Sequence, residues 1–383
     1  MGEDGPAALP PASLAALDAA EAVIGAPRLL ELAGIGARGR PWPVPFSLAP
    51  VLARRGRPTA MLASGDPFWH GAGGSVARQL GPGEWRAFPA PSTFALVAAR
   101  LGWPLEGVRC LGLHAAPAAR ARPVLAPGAR LICLMRDGAA VTGVAGWLAG
   151  AGFGASRLHV MEALGGPRER VRTVRADAPG LADIAAPVAV AVEVAGGPAL
   201  ASVPGREAAL FAHDGQISKG PMRALTLAAL APVAGARLWD VGAGSGAVSV
   251  EWALAGGCAL AVEARADRAA NIAENAARFG VDDRIEVIEG RAPGALSGLA
   301  APDAAFLGGG ASEATLEALR AALPAGARLV ANAVTVETEA LLARWHGAHG
   351  GQLTRIALAE AEALGSGRGW APARPVTQWQ VTR

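Results

Sequence analysis

The chain has 383 residues, of which 52% are hydrophobic and 17% are charged, and its formal net charge at pH 7 is +3. This composition supports packed cores in two or three domains and argues against a disordered chain. The small net charge gives no reason to expect a nucleic-acid partner. The longest apolar runs, 131–148 and 184–200, are interrupted by Arg136, Asp137 and Glu193, so we expect no membrane partner.

The three cysteines, Cys110, Cys133 and Cys258, lie in apolar, strand-like runs. They show neither a disulfide framework nor zinc-ligand spacing. The first residues also lack the basic-then-apolar pattern of a signal peptide. We therefore expect a reduced, cytoplasmic enzyme that holds no metal.

Short apolar runs alternate with helical patterns through the first part of the chain. The predicted strands are 59–63, 108–113, 130–134, 157–161 and 188–194. The predicted helices are 13–20, 72–80, 93–101 and 140–149. A glycine- and proline-rich stretch, 196–205, is typical of a linker. We therefore predict two domains, residues 1–200 and 206–383.

The second part continues the alternation. Its predicted strands are 237–241, 259–262, 285–288, 304–307, 328–331, 354–359 and 377–381, and the last two are expected to pair antiparallel at one edge. Alternating strands and helices predict a mainly parallel, doubly wound sheet. The predicted fold class is therefore α/β, in two domains.

Two loops of the first part have ligand-site character. Gly65-Asp66-Pro67 ends a strand, and Pro91-Ser92-Thr93 opens a helix with Ser92 or Thr93 as its N-cap. Loops at the carboxyl ends of strands are where α/β proteins bind ligands. Taken singly, each loop is more typical of a structural turn than of a site.

The strongest local signal is the glycine turn 242–246. A buried strand ending in Asp240 and Val241 leads into Gly242, Gly244 and Gly246, and a helix follows. Glycines at such a turn let backbone N–H groups approach a ligand closely. Glu263 ends the next strand about 20 residues later, where a carboxylate accepts hydrogen bonds from ribose hydroxyls.

The turn has two possible ligands. The residues Gly242, Gly244 and Ala247 also fit the loose dinucleotide pattern. Against that pattern, Gly246 comes one place early. Asp240 is also a poor neighbour for a pyrophosphate, whereas it suits the positively charged methionine end of S-adenosylmethionine. We favour the sulfonium donor, and a nicotinamide dehydrogenase stays the weaker alternative.

One basic residue differs from all the others. Of 35 basic residues, Lys219 is the single lysine, which suggests a position that needs a compact ammonium group. Asp214, Lys219 and Arg223 lie close together before and at the start of a helix, and Lys219 and Arg223 are four residues apart. We expect these two to share a helix face that meets either substrate carboxylates or the methionine end of the donor.

Two ordered sets of motifs resemble a known family. The first half carries Gly65-Asp66-Pro67, Pro91-Ser92-Thr93, the run 98–104, Leu113-His114 and Glu162-Ala163-Leu164-Gly165. The second half carries the run 213–223, the glycine turn, Glu289-Gly290-Arg291-Ala292-Pro293 and Phe306-Leu307-Gly308-Gly309-Gly310. The first set resembles the tetrapyrrole (corrin) methyltransferases, nearest their C-5 methylating branch, and the second set resembles the C-15 methylating, decarboxylating branch.

This resemblance implies a function. The expected reaction methylates precorrin-6B at C-5 and C-15 and decarboxylates its ring-C acetate, giving precorrin-8 in cobalamin biosynthesis. The methyl donor would be S-adenosylmethionine, with one site per domain, and the chain would form a homo-oligomer. The expected donor-binding residues are Asp240, Gly242, Gly244, Gly246, Glu263, Arg291 and Ala292 in the second domain, and Gly65, Asp66, Ser92 and Thr93 in the first. The expected catalytic residues are Asp214, Lys219, Arg223 and His114.

The chain departs from the family pattern at two places. Family members begin with a buried strand that leads into a Gly-x-Gly-x-Gly loop, whereas Met1 falls inside that loop here. We expect the first domain to lack that strand and part of its donor site. Ala115 also stands where the family pattern has glycine. Two further hypotheses are a methyltransferase for RNA or protein joined to an unrelated amino-terminal module, and a nucleotide-binding protein without catalysis.

Overall fold

The computed structural model describes all residues, Met1–Arg383, and the chain divides into two compact units, Met1–Ala199 (unit 1) and Leu200–Arg383 (unit 2). Both combine helices with β-sheets, so the predicted two-domain α/β fold class is confirmed. No helix in the chain has both the length and the apolar character needed to cross a bilayer.

Unit 1 contains six α-helices and eight strands. The helices are α1 Pro11–Asp18, α2 Pro27–Leu32, α3 Ala49–Leu52, α4 Gly73–Ala77, α5 Thr93–Leu101 and α6 Gly138–Leu148. The strands are β1 Ala22–Gly25, β2 Gly39–Pro41, β3 Thr59–Met61, β4 Val108–Gly112, β5 Arg130–Met135, β6 Arg157–Glu162, β7 Arg170–Arg175 and β8 Val188–Glu193.

The strands of unit 1 form two separate sheets. A parallel three-stranded sheet has the order β2-β1-β3, and a five-stranded sheet has the order β4-β5-β8-β6-β7. In the larger sheet only β4 and β5 run parallel, and the other pairs are antiparallel. The prediction of a mainly parallel sheet is therefore wrong for this part of the chain.

The outer edge of β3 has no strand partner. β3 pairs with β1 alone, and a cavity of about 660 Å³ lies along it, lined by apolar side chains that include Leu17, Val76 and Phe88. The Met1 ammonium group donates to the Ala63 carbonyl at 2.8 Å just beyond the end of this strand. Unpaired backbone groups therefore border the cavity.

Unit 2 contains five α-helices and nine strands. The helices are α7 Gly220–Leu230, α8 Ala247–Leu254, α9 Ala266–Arg278, α10 Glu313–Ala322 and α11 Val336–His349. The strands are β9 Arg237–Val241, β10 Cys258–Glu263, β11 Ile285–Glu289, β12 Ala304–Leu307, β13 Arg328–Ala333, β14 Gln352–Ile356, β15 Ala359–Leu364, β16 Gly367–Pro372 and β17 Val376–Thr382.

A seven-stranded sheet forms the centre of unit 2. Its order is β11-β10-β9-β12-β13-β17-β14, with the first five strands parallel and β17 antiparallel to both neighbours. The predicted antiparallel edge pair is thus present, although β17 lies between β13 and β14. The connection between β14 and β17 is a separate hairpin, β15–β16, in which Leu364 and Trp370 are 70% and 76% exposed.

The order of the strands determines where a ligand can bind. β9 is central, and the chain leaves it toward β10 on one side, while β12 lies on the other. Such a reversal opens a crevice at the carboxyl ends of the strands. Side chains that alternate along β9 pack into two cores, one around Leu238 and one around Trp239, so that the sheet is covered on both faces. The glycine turn therefore starts from a rigid strand.

Candidate functional site

The glycine turn of unit 2 requires glycine for close contact as well as for backbone geometry. Gly242, Gly244 and Gly246 have φ values of +67°, +59° and +71°. A Cβ atom on Gly242 would lie 2.5 Å from the carbonyl oxygen of Gly309, and one on Gly246 would lie 2.7 Å from Ile272. Side chains are therefore excluded at Gly242 and Gly246, and a ligand can approach the backbone of the turn closely.

Asp240 places a buried carboxyl group beside the turn. Its Oδ2 accepts hydrogen bonds from the backbone N–H and the hydroxyl of Ser249, at 3.1 and 2.6 Å. Its Oδ1 is buried and has no partner. Burial raises the pKa of Asp240 to about 6, against the hydrogen bonds from Ser249, and nearby Glu263 raises it slightly further. A buried acceptor without a partner is costly unless a bound donor or cation satisfies it.

Glu263 holds the other side of the turn. One carboxylate oxygen accepts from Gly244 N at 2.9 Å, and the other accepts from Arg265 N at 3.0 Å. The side chain is nearly buried, so its position is well defined. Because a carboxylate offers about four acceptor positions, the remaining ones are free for ribose hydroxyls.

The loop that follows β12 completes this end of the sheet. Gly308 N donates to the Val241 carbonyl at 2.9 Å, which ties the loop to the end of β9. The Gly309 backbone is the group that a side chain at Gly242 would strike. Gly308 and Gly309 belong to the motif Phe306-Leu307-Gly308-Gly309-Gly310. They lie beside the glycine turn because β12 is the neighbour of β9 in the sheet. Only the strand order of the sheet could have identified them.

Arg291 and Ala292 follow β11, at the same end of the sheet, two strands away from β9. Arg291 is exposed, and Ala292 packs against the core below it. The structure therefore places both on the edge where a donor extending from the turn would end. No contact in the structure assigns them a role, so their part in donor binding stays a prediction.

Asp214 is placed near the turn but is not suited to donate a proton. Its carboxylate accepts from Arg268 at 2.8 Å, and the Gln216 side chain accepts from the same guanidinium at 2.7 Å. These contacts hold the loop over Gly244. The hydrogen bond from Arg268, followed by that from the backbone of Gln216, lowers the pKa of Asp214. Asp214 therefore stays ionised, and its expected part in catalysis stays a prediction.

The expected face shared by Lys219 and Arg223 is wrong. Lys219 is exposed and stands at the N-cap of α7. Arg223 is fully buried; its Nε lies 3.1 Å from Glu251 Oε1, and its other nitrogens donate to the Ser218 and Arg206 carbonyls. Sequence spacing gave no sign of Glu251, which lies on another helix. Arg223 thus holds the start of α7 in place, while Lys219 is left free to meet an anion.

In unit 1 the two predicted loops meet. A Cβ atom on Gly65, whose φ is +62°, would lie 2.8 Å from both the Pro91 carbonyl oxygen and the Ser92 Cα. Asp66 closes its own loop by accepting from Phe68 N at 2.8 Å. Ser92, rather than Thr93, caps α5, since its hydroxyl accepts from Ala95 N at 3.1 Å.

His114 lies two residues after the end of β4 and lines a pocket of about 510 Å³. Met135 and Arg136, at the end of neighbouring β5, line the same pocket, as does Ala115. The side chain of His114 is exposed. The chain contains no group of three or more His, Cys, Asp or Glu side chains placed to hold a metal ion.

Comparisons with known proteins cover both units. Residues 1–179 match the Tetrapyrrole (Corrin/Porphyrin) Methylases, and residues 209–383 match the Precorrin methyltransferase domain. The Precorrin-6Y C(5,15)-methyltransferase (decarboxylating) of Sinorhizobium sp is 47% identical over 394 residues, spanning 100% of this chain and 95% of that protein. The protein of the same description from Mycobacterium tuberculosis (strain CDC 1551 / Oshkosh) is 40% identical over 393 residues, spanning 100% and 98%.

Among solved structures, the C-terminal domain of precorrin-6Y C5,15-methyltransferase from Rhodobacter capsulatus is 55% identical to this chain. It covers 48% of this chain and 100% of that domain, with a TM-score of 0.47.

Proposed function

Because the chain belongs to the family of precorrin-6Y C(5,15)-methyltransferases (decarboxylating), we propose that its two units divide the two methylations between them. The chain is an S-adenosylmethionine-dependent methyltransferase of cobalamin biosynthesis that methylates a precorrin and decarboxylates it. In the proposal, unit 1 methylates C-5 of precorrin-6B, and unit 2 methylates C-15 and removes the ring-C acetate carboxyl, giving precorrin-8.

One observation carries the assignment of unit 2: a buried acceptor without a partner lies beside a glycine turn in which Gly242 and Gly246 have no room for a side chain. Asp240 Oδ1 would receive the donor's positively charged methionine end, Gly244 would approach it through its backbone, and Glu263 would accept from its ribose. The residues present therefore fit S-adenosylmethionine. When bound, that cofactor supplies an electrophilic methyl group; the protein supplies orientation and a site from which water is excluded.

We propose a second donor site in unit 1, at the joined loops of Gly65 and Ser92. Asp66 and Thr93 complete it, and the pocket beside His114 adjoins β4 and β5. The match of residues 1–179 to the tetrapyrrole methylases supports this site.

Lys219 is proposed to hold a substrate carboxylate during decarboxylation. It is exposed, it forms none of the ion pairs of unit 2, and it directly follows the loop that contacts the glycine turn. Loss of carbon dioxide leaves an electron pair that a conjugated macrocycle can delocalise until a proton from solvent replaces the lost carboxyl group, so the protein needs mainly to position the acetate. Lys219→Met should slow the reactions at C-15 and leave C-5 methylation at its wild-type rate. A variant that keeps the wild-type rates of both methylations and of decarboxylation would refute this role.

We also propose that the chain works as a homo-oligomer in the cytoplasm, without metal, nucleic acid or membrane. The exposed hairpin β15–β16 supports an oligomer, because a two-stranded ribbon is marginally stable unless something covers it. The three cysteines are unpaired, which suits a reducing compartment. The alternative of an unrelated amino-terminal module is contradicted by relatives that match the whole chain.

Mass spectrometry of the products tests the proposed function. The full chain is incubated with precorrin-6B and S-adenosylmethionine whose methyl group carries ¹³C, and the product is also examined by NMR. The expected product has gained two labelled methyl groups, at C-5 and C-15, and has lost one carboxyl group. A product with labelled methyl groups at other positions, or one that keeps all its carboxyl groups, would contradict the proposal.

A further inference from the structure

A second histidine in unit 1 lies close to His114. His70 belongs to the loop that follows Gly65-Asp66-Pro67, whereas His114 follows β4. A Cβ atom on Gly112 would lie 2.7 Å from His70 Nδ1, so the imidazole ring packs directly over the end of β4. Two loops that are far apart in sequence thus bring two imidazoles to the same edge of the fold.

The loop holds His70 in an uncommon backbone conformation. Its φ is +57°, in the left-handed region that few residues other than glycine adopt. The loop is closed by hydrogen bonds from Phe68 N to Asp66 at 2.8 Å and from Gly73 N to the Pro67 carbonyl at 2.9 Å. Such conformations persist where the surrounding structure enforces them, and they are concentrated at functional sites.

The surroundings of His70 favour a neutral ring. The ring centroids of His70 and Phe94, which belongs to α5, are 5.8 Å apart, and Gly112 lies against the same imidazole. Neither of these neighbours carries a charge. Burial lowers the pKa of His70, and the charge of His114, the titratable group that acts on it, lowers it further. A lowered pKa keeps the ring neutral at pH 7, and a neutral imidazole has a nitrogen free to accept a proton.

Methylation of a bridging ring carbon must release a proton. The new C–C bond uses a π-electron pair of the macrocycle, and the broken S–C bond leaves its electron pair on sulfur. The ring then carries one positive charge, and its methylated carbon still carries hydrogen. Transfer of that hydrogen as a proton returns the C–H electron pair to the ring. A base is needed, and no oxidant or reductant is required.

We propose that His70 is the base that takes this proton in unit 1, with His114 beside it as a positioning residue. This inference rests on the proposed function, since it assigns C-5 methylation to unit 1. Both imidazoles are exposed at the edge where the joined loops of Gly65 and Ser92 lie, so a substrate bound there can reach them.

The test uses a variant that the backbone tolerates. His70→Gly fits a positive φ and leaves space over Gly112 for an added imidazole molecule. His349→Gln, in the last turn of α11, is the matched control. Rates of labelling at C-5 and C-15 are measured in single turnovers on the full chain. We expect C-5 methylation in His70→Gly to fall about 100-fold, C-15 methylation to stay within twofold, and added imidazole to restore at least a tenth of the lost rate.

Different results would overturn the role of His70 and the proposed function of the chain. A C-5 rate within threefold of the wild type, an equal loss at both carbons, or a loss that imidazole does not restore would overturn the role of His70 alone. A wild-type chain that labels neither carbon would overturn the proposed function and the role of His70 with it.

A measurement independent of turnover tests the histidine pair. NMR of ¹³C-labelled histidines gives the titration of His70 in the wild type and in His114→Asn. Because removal of a neighbouring positive charge favours protonation, the pKa of His70 should rise in that variant. The same pKa in both proteins would show that the two rings do not interact and would overturn the pair.

Discussion

At the scale of single residues, the carboxyl group of Asp240, proposed to bind the donor, lowers the stability of the unliganded chain when it ionises. Asp240 is completely buried, and one of its oxygens lacks a partner. Its pKa of about 6 means that the folded chain holds this proton more tightly than the unfolded chain, where the ordinary value is 3.8. Folding is therefore favoured at low pH, and this contribution is lost as pH rises from about 4 to about 6.

Asp240→Asn tests this balance. At about 1.4 kcal/mol per pKa unit, ionisation of Asp240 costs the unliganded wild type about 3 kcal/mol between pH 4 and pH 7. The variant has no such ionisation, so its free energy of unfolding relative to the wild type should rise by about that amount over the same range. Urea unfolding at several pH values, without donor, measures it. A difference that does not change with pH would contradict the account.

The same substitution should weaken donor binding in unit 2. Loss of a charge-assisted contact costs about 1.5–3 kcal/mol, or about 10- to 100-fold in affinity. Calorimetry with S-adenosylhomocysteine measures this loss. Asp303→Asn, a change at an exposed carboxylate that contacts the Arg237 backbone at the other end of β9, is the control and should leave donor affinity unchanged.

Gly242 offers a second test of the turn. Gly242→Ala combines a positive φ with a clash against the Gly309 backbone, whereas Gly326→Ala has a φ of +84° and open space around it. The control therefore isolates the conformational cost. The clash should make Gly242→Ala less stable than Gly326→Ala by about 1–3 kcal/mol in chemical unfolding. Equal stability of the two variants would show that the loops do not pack as described.

At this scale the sequence predicts residues that act through the backbone better than residues that act through partners. Gly242, Gly244 and Gly246 were predicted from local pattern alone, and all three have the expected positive φ. Arg223 was predicted to face substrate, and this was wrong. Residue spacing on one helix cannot show that Glu251, on the neighbouring helix, pairs with it. His70 gave no signal at all, since its place depends on contact with β4.

At the scale of elements, α7 is anchored by one buried carboxylate. Glu251 accepts from the backbone N–H groups of Gly205 and Arg206 at 2.8 and 2.9 Å, and it pairs with Arg223. This cluster joins the segment before α7 to α8. Because α7 carries Lys219 at its start, the buried cluster determines where the free ammonium group stands.

Glu251→Gln should destabilise unit 2 strongly. A buried guanidinium that loses its counter-charge costs about 3–5 kcal/mol. The matched control is Glu274→Gln, which breaks an exposed pair with Arg278 on α9 and should cost less than about 0.5 kcal/mol. Thermal and urea unfolding of both variants measures the difference. Similar small losses in the two would refute the anchoring role.

Elements with strong local patterns were predicted well, and those set by tertiary context were not. The bounds of α5, β9 and β12 match the prediction. β1 was missed because it has four residues and an alanine-rich neighbourhood, and β7 because arginines alternate along it. β15 reads Ala-Glu-Ala-Glu-Ala-Leu, a helix-forming composition, and it forms a strand through pairing with β16.

At the scale of the whole molecule, the exposed hairpin supports assembly. Leu364 and Trp370 are the most exposed large apolar side chains of β15–β16. We expect Trp370→Ser to reduce the mass measured by light scattering toward that of one chain, because apolar surface that would be buried between copies is removed. Val203→Ser, at another exposed apolar position, is the control. An unchanged mass for the hairpin variant, or a wild-type chain that is already monomeric, would contradict the proposed homo-oligomer.

The central claim is that each unit binds one methyl donor. Calorimetric titration of the full chain with S-adenosylhomocysteine tests it most directly, with Gly242→Ala as a variant impaired in unit 2 alone. We expect two donor molecules to bind per wild-type chain and one per variant chain. A wild-type chain that binds a single donor, or a variant that still binds two with unchanged affinity, would contradict it.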